Sequence, residues 1–260
     1  MFDRAVEEID PASYKSIQDK YLFCAADVPW NGFIKYLDVA AWFRQHVRIA
    51  RFLDLDRRQT CTIFDIGSGG GEFLAVAKAL GHQVLAFDRP EPALYGDLVQ
   101  LFGIERIEGS IILGEALPPA INRFDTITIN CQSFDELHAT FLNSMVEALC
   151  RRLGRSMRKW LRGRNIPKPR EIWSVKEWAS FLEYLAAEHL NYPGEIFIGL
   201  NKNAGPPGQK DFLWPLIDLL GAHGAHIDEA PRKIRLMLDE PLRFGEIAAP
   251  PWRSLSRRKN

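Results

Sequence analysis

The stretch FDIGSGGGEF, residues 64–73, sets four glycines into five positions directly after an apolar run, with Asp65 two residues ahead of the first. Glycine inside a strand or helix costs about 0.5–1 kcal/mol relative to alanine, so a cluster this dense marks a place where side chains would be in the way. A strand, a glycine-rich turn and a helix in that order build a site for a nucleotide-like ligand. The glycines let backbone approach the ligand, and the free N–H groups of the helix start attract polar or anionic atoms.

Outward from that turn, short apolar runs alternate with helical patterns. CTIFDI (61–66), QVLAFD (83–88), ERIEGSI (105–111), FDTITIN (124–130) and EIFIGLN (195–201) are rich in Ile, Val, Phe and Thr and bounded by turn residues, which predicts strands. EFLAVAKALG (72–81) carries apolar residues at helical spacing and a glycine stop. Two further helical stretches, near 133–153 and 174–190, each open with Ser-x-x-Glu (Ser133/Glu136 and Ser174/Glu177), the capping-box pattern. DFLWPLIDLLGAHG leads into AHIDEAP and RKIRLMLD, two strands joined by a tight Glu-Ala-Pro turn. Alternating β and α units predict an α/β fold, a doubly wound and mostly parallel seven-stranded sheet with an antiparallel hairpin at its C-terminal edge. Residues 1–60 precede the sheet and read as a helical segment. The sheet domain is expected over 61–247, with a basic helical insertion at about 143–172 and a basic tail at 248–260.

Two cofactor classes use a glycine turn of this kind. A dinucleotide site reads GxGxxG; here Glu72 stands in the third glycine's place and would set a carboxylate beside a pyrophosphate. The series Asp65-x-Gly67-x-Gly69-x-Gly71 is acid-led instead, and in this it resembles the first motif of the class I, Rossmann-like S-adenosylmethionine-dependent methyltransferases. Asp88 closes the second strand, 17 residues after Gly71, where a carboxylate can accept both hydroxyls of a ribose. The C-terminal strand pair is similar to the family's edge hairpin. The resemblance covers about 61–240 and implies S-adenosyl-L-methionine as the cofactor. It also implies the residues that meet it: Asp65, Gly67, Ser68, Gly69 and Gly71 for the methionine part, Asp88 for the ribose, Ser110 and Ile111 for the adenine, and Asn130 and Cys131 beside the methyl donor. Many members have an acidic residue after the third strand, a position for which Glu108 and Glu115 are the nearest here.

The family has no universal catalytic residue, so chemistry has to be sought in the chain itself. Methyl transfer from a sulfonium is an in-line displacement in which positioning supplies most of the catalysis. A hydroxyl acceptor also benefits from a general base, and His138, after the fourth strand, is the candidate. Asp135 and Glu136 beside it are explained as helix-start residues. The segment 21–43 is dense in aromatics; in this family an N-terminal helical segment often covers the cofactor, which makes Tyr21, Trp30, Lys35 and Tyr36 candidates for contact with substrate. Phe33, Trp42 and Phe43 are equally explained as core. Arg151 to Arg170 holds nine basic residues and no acid. Arg151, Arg155, Arg158 and Arg162 share one helical face and Val146, Leu149, Leu153, Met157 and Leu161 another. Such a helix can grip an anionic acceptor, Arg158 being the representative contact, or rest on an anionic surface; it is equally explained as a solvated face.

Composition narrows the field. The chain of 260 residues is 47% hydrophobic and 25% charged, with 33 basic and 33 acidic residues. A net charge of zero lacks the electrostatic footprint of a nucleic-acid-binding protein, and Asn130-Cys131-Gln132-Ser133 departs from the Asn/Asp-Pro-Pro-aromatic motif of the family's nitrogen-methylating nucleic-acid members. An RNA methyltransferase using 151–170 and a catalytically inactive cofactor-binding protein stand as alternatives. Four cysteines without a CxxC give no disulfide framework or metal pattern. The N-terminus lacks the order of a secretion signal, and no run of about 18 apolar residues exists to span a bilayer. The expectation is a cytoplasmic enzyme that methylates a small or medium-sized acceptor, such as a sugar or other biosynthetic intermediate, on oxygen in preference to nitrogen.

Overall fold

In the computed structural model, Thr62–Ile66 (TIFDI) forms the central strand β1, where β-branched and aromatic residues suit a strand buried on both faces. The structure describes residues 1–25, 34–90, 92–112, 114–132, 175–200, 210–227 and 233–245. β1 pairs in parallel with β2 (Gln83–Asp88) on one side and with β4 (Phe124–Gln132) on the other. Beyond them lie β3 (Glu105–Glu108), β5 (Leu190–Leu200), β6 (His226–Ile227) and β7 (Lys233–Leu238), giving a seven-stranded sheet in the order β3-β2-β1-β4-β5-β7-β6. β7 runs antiparallel to both β5 and β6, the expected edge pair.

Residues alternate across the sheet with a period of two, and that alternation sorts the core. Ile63 and Ala86 face helices α3 (Val39–Phe52), α4 (Glu72–Ala79) and α5 (Ala93–Leu101), together with Phe43, Leu74 and Leu98. Phe64, Ile66, Ile127 and Ile129 face the other way, into a core with Phe181 and Leu185 of α6 (Val175–His189) and Leu216 and Leu220 of α7 (Lys210–Ala222). The N-terminal α1 (Phe2–Glu7), α2 (Pro11–Ala25) and a short 3-10 turn, Ile34–Leu37, join the first layer. α3 buries Val39, Phe43, His46, Val47 and Ala50 on one face, and the Asp38 carboxylate caps it by accepting from the Ala41 N–H at 3.1 Å.

The chain runs outward from β1 through β2 to β3 and then returns to the other side of β1 as β4. The crevice beyond the carboxyl ends of β1 and β4 is thus the point where strand order reverses, the place where open α/β sheets bind ligands. The glycine turn follows β1 directly into that crevice. Three elements differ from the sequence reading. β3 ends at Glu108 rather than 111, the Gly109 N–H making a last ladder bond to the Asp88 carbonyl at 3.0 Å. β5 starts at Leu190, five residues before EIFIGLN, through a segment whose Asn, Pro and Gly look like a turn. α5, interrupted in sequence by Gly96, was not anticipated at all. The Glu-Ala-Pro turn and capping residues Ser133, Glu136 and Ser174 lie outside the described residues.

Candidate functional site

The turn owes its shape to three residues with left-handed backbone: Gly67, Gly69 and Gly71, at φ 72°, 57° and 79°. Side chains are strained in that region. The Phe87 carbonyl accepts from the N–H groups of Gly67 (2.7 Å) and Ser68 (3.3 Å), which pins the turn against the end of β2. Gly71 donates to the Ser68 carbonyl at 2.9 Å and then caps α4. Asp88 completes the clamp. Its Oδ2 accepts the Gly69 N–H and its Oδ1 the Arg89 N–H, both at 2.7 Å.

Asp65, Thr128 and Asn130 project from adjacent strands β1 and β4 to the same side of the sheet. Asp65 Oδ1 accepts from the Thr128 hydroxyl at 2.5 Å and from Asn130 Nδ2 at 3.2 Å. The residues are buried, Asp65 1% and Asn130 6% exposed, and Glu72 at the start of α4 is only 2% exposed. Asp65 Oδ2, Ser68 Oγ, Glu72 Oε1 and Asn130 Oδ1 have no hydrogen-bond partner among the described residues. A buried polar group without a partner is costly, so the Asp65, Ser68 and Glu72 oxygens at one turn mark a site; Asn130 Oδ1 lies toward Gly199 of β5, 2.9 Å from where a Cβ there would be. Burial raises the Asp65 carboxyl to about 7, against the opposing hydrogen bonds from Thr128 and Asn130. Burial likewise raises Glu72 to about 8, with the Asp65 charge adding to the effect.

Above the turn stands Tyr95 of α5, whose ring carbon lies 3.9 Å from where a Cβ on Gly69 would be. Burial pushes the Tyr95 phenol upward, and a hydrogen bond with Tyr36 does the same. Tyr36 meets Tyr95 edge-on at 5.2 Å and stacks on Trp42 at 4.7 Å. The Lys35 ammonium lies over both of the latter rings, 5.0 Å from Tyr36 and 5.6 Å from Trp42. The N-terminal segment thus reaches the turn through Tyr36, with Lys35 at its outer side.

The residues expected from sequence fall into four groups. Asp65, Gly67, Ser68, Gly69, Gly71, Asp88 and Asn130 come together at the switch point. Ser110 and Ile111 follow the Gly109 turn that is tied to Asp88, Ser110 exposed and Ile111 packed on the second core. Tyr21 lies on α2, where its hydroxyl donates to Asp97 Oδ2 of α5 at 2.7 Å; it is committed to holding two helices together. Trp30, His138, Arg158 and the whole basic segment 151–170 lie outside the described residues, as does the Cys131 side chain, although its backbone belongs to β4. Of the two residues considered for the acid after β3, Glu108 is exposed at the strand end, paired in register with Asp88. Thr128 and Tyr95 were missed, and Glu72 was weighed only for the glycine it replaces. The signal for Thr128 was its two-residue spacing from Asn130 on a strand; Tyr95 had none without α5. Among the described residues, no group of three His, Cys, Asp or Glu side chains is placed to hold a metal, and no helix is long and apolar enough to cross a membrane.

No protein-family model matches the chain, and no curated protein matches it. Solved structures similar to it include methyltransferases. A ribosomal protein L11 methylase from Lactobacillus delbrueckii subsp. bulgaricus shares 18% identity over 75% of this chain and 79% of its own, with a TM-score of 0.41. A TehB-like SAM-dependent methyltransferase from Corynebacterium glutamicum shares 16% over 88% and 99%, with a TM-score of 0.40. Human N-acetylserotonin methyltransferase, solved with SAM, shares 13% over 80% and 55%, with a TM-score of 0.42. At such identities the likeness is one of fold, and what the chain does has to be read from its own site.

Proposed function

We propose that the chain is an S-adenosylmethionine-dependent methyltransferase acting on a small or medium-sized acceptor, such as a sugar or other biosynthetic intermediate, with oxygen favoured over nitrogen. The observation that carries this reading is the pair of unpartnered buried carboxylate oxygens at the glycine turn, Asp65 Oδ2 and Glu72 Oε1, with the unpartnered Ser68 hydroxyl on the same turn. S-adenosylmethionine offers such a set an ammonium, ribose hydroxyls and a sulfonium, all of them donors or positive charge. A dinucleotide would bring a pyrophosphate to a turn flanked by Asp65, Glu72 and Asp88. Among the described residues no lysine or arginine pairs with any of the three to offset that repulsion.

The residues fit the cofactor part by part. The turn at Gly67–Gly71 and the Asp65–Asn130 pair would hold the aminoacyl end. Asp88 would take the ribose hydroxyls: each of its oxygens already accepts one backbone N–H, which fixes the carboxylate and leaves a lone pair on each for a ligand. Ser110 and Ile111 would border the adenine, and the backbone of Asn130 and Cys131 would wall the reacting side. Bound there, the cofactor supplies an electrophilic methyl group on sulfur. Tyr36 and Lys35 would face the acceptor, and His138, six residues past the end of β4, would take the hydroxyl proton.

Calorimetry on the full chain tests the reading, with S-adenosylhomocysteine and NAD as ligands. S-adenosylhomocysteine is expected to bind and NAD not to; NAD binding without S-adenosylhomocysteine binding would remove it.

A further inference from the structure

Glu72 occupies the first position of α4, where a carboxylate normally faces water and the helix dipole, yet it is 2% exposed. A Cβ on Gly70 would stand 2.7 Å from Glu72 Oε1, so the carboxylate folds back over the turn into room that this glycine leaves. Asp65 lies near enough for its charge to act on Glu72. Ser68 Oγ of the same turn, its residue 8% exposed, also lacks a partner among the described residues. Of Asp65 Oδ2, Glu72 Oε1 and Ser68 Oγ, only the serine oxygen can donate a hydrogen bond when both carboxylates are ionised. The titratable groups around the pair are Asp88 on β2, Tyr95 on α5 and His46 on α3, which packs against Phe73 of α4. None supplies a positive charge: burial pushes the His46 imidazole down to about 4. Two neighbouring buried carboxylates cannot both stay charged without help. A proton provides it in the free protein, and a ligand cation with several N–H donors would provide it in the complex.

Resting on the methyltransferase reading, we infer that Glu72 joins Asp65 in holding the ammonium of the cofactor's aminoacyl end, and that the pair releases a proton to solvent as the ammonium enters. The balance is simple. One carboxylic acid and one carboxylate become two carboxylates facing an ammonium; the bond broken is the O–H of the acid, and its proton goes to water. Burial, which holds Glu72 at about 8 and Asp65 at about 7, leaves that proton in place at neutral pH. Since the ionised pair is the binding form, affinity rises with pH and levels off above about 8.

Calorimetry separates this role from the rest of the site. The ligands are S-adenosylhomocysteine, which carries the ammonium, and 5′-methylthioadenosine, which keeps the nucleoside and lacks the aminoacyl end. Wild type and Glu72→Gln are compared from pH 6 to 9, and at pH 7 in two buffers of different protonation enthalpy. In the wild type, S-adenosylhomocysteine should tighten as pH rises to about 8, by up to about tenfold per pH unit for each carboxyl that must give up its proton, and its binding should release a proton at pH 7. Glu72→Gln should lower the release at pH 7, leave only the pH dependence of Asp65, below about 7, and weaken this ligand by about tenfold or more, while methylthioadenosine binds both proteins alike. An unchanged melting temperature shows that the variant is folded. A variant that binds S-adenosylhomocysteine with wild-type affinity and proton release overturns the inference and leaves the methyltransferase reading standing. Equal loss of both ligands overturns it too, since the defect would then be general. If the wild type binds neither ligand, the methyltransferase reading falls and takes the inference with it.

Discussion

In the proposed reading, Asp88 serves both the fold and the ligand. Its carboxylate holds the Gly69 and Arg89 N–H groups, so Asp88→Ala should loosen the turn as well as remove the proposed ribose acceptor. Loss of charge-assisted hydrogen bonds of about 1.5–3 kcal/mol should weaken S-adenosylhomocysteine about 10- to 100-fold; Asp88→Asn, which keeps an acceptor oxygen, should lose less. Calorimetry on both variants checks the order. A second prediction at this scale concerns pH. Asp65 and Glu72 hold protons in the folded state to about 7 and 8, whereas unfolded they release them near 4. The unfolded chain binds fewer protons between those limits, so the ligand-free protein should lose stability as pH rises from about 4 to 8. Urea unfolding across that range should show a falling stability that Glu72→Gln makes shallower; a rise in both proteins would contradict the burial argument. Asp65 and Asp88 could be read in the sequence because their spacing from the glycines is local. Glu72 could not, since a glutamate at a helix start looks like an ordinary solvated cap until the fold buries it.

At the scale of elements, the turn and the helix behind it respond differently to substitution. Gly69 has open space around a would-be Cβ, the nearest atom being Tyr95 at 3.9 Å, but its φ is 57°. Gly69→Val should therefore fold, at a cost of about 1–2 kcal/mol for left-handed backbone, and lose S-adenosylhomocysteine binding because the side chain enters the crevice. Full affinity in the folded variant would mean the turn is only structural. Gly71 is positioned otherwise: a Cβ there meets Val99 of α5 at 3.0 Å, so Gly71→Val should lower the melting temperature further than Gly69→Val does. The β1, turn and α4 unit was visible in sequence because period-two and helical patterns meet at a glycine cluster. α5 was not, since Gly96 and the preceding prolines read as loop while the burial of Leu94, Leu98 and Val99 comes from packing. The start of β5 was hidden for the same kind of reason, turn-like residues drawn into a strand by pairing with Phe124.

Across the whole molecule, a buried ionic knot lies at the end of the sheet opposite the site. Glu195 of β5, 3% exposed, accepts from Arg58 at 2.6 Å, from Arg235 Nε of β7 at 2.6 Å and from the Thr126 hydroxyl of β4 at 2.9 Å. Arg235 also donates to Asp54 and to the Phe52 carbonyl, which fastens the end of α3 to the strands. Removing one partner of such a network leaves charge buried and uncompensated, so Glu195→Ala should destabilise by about 3–5 kcal/mol in urea unfolding, with S-adenosylhomocysteine affinity unchanged in the folded fraction. Nothing in the sequence joins residues 54, 58, 126, 195 and 235; only the topology does. The strand order itself was inferable, because alternating β and α units leave few right-handed windings, and the switch point that follows from it locates the crevice. The central claim is that this crevice binds S-adenosylmethionine through Asp65, the glycine turn and Asp88. A crystal structure of the chain with S-adenosylhomocysteine tests it most directly. The account predicts the aminoacyl ammonium within hydrogen-bond distance of Asp65 and the ribose hydroxyls on Asp88; ligand density elsewhere, with Asp88 still holding only the Gly69 and Arg89 N–H groups, would contradict it.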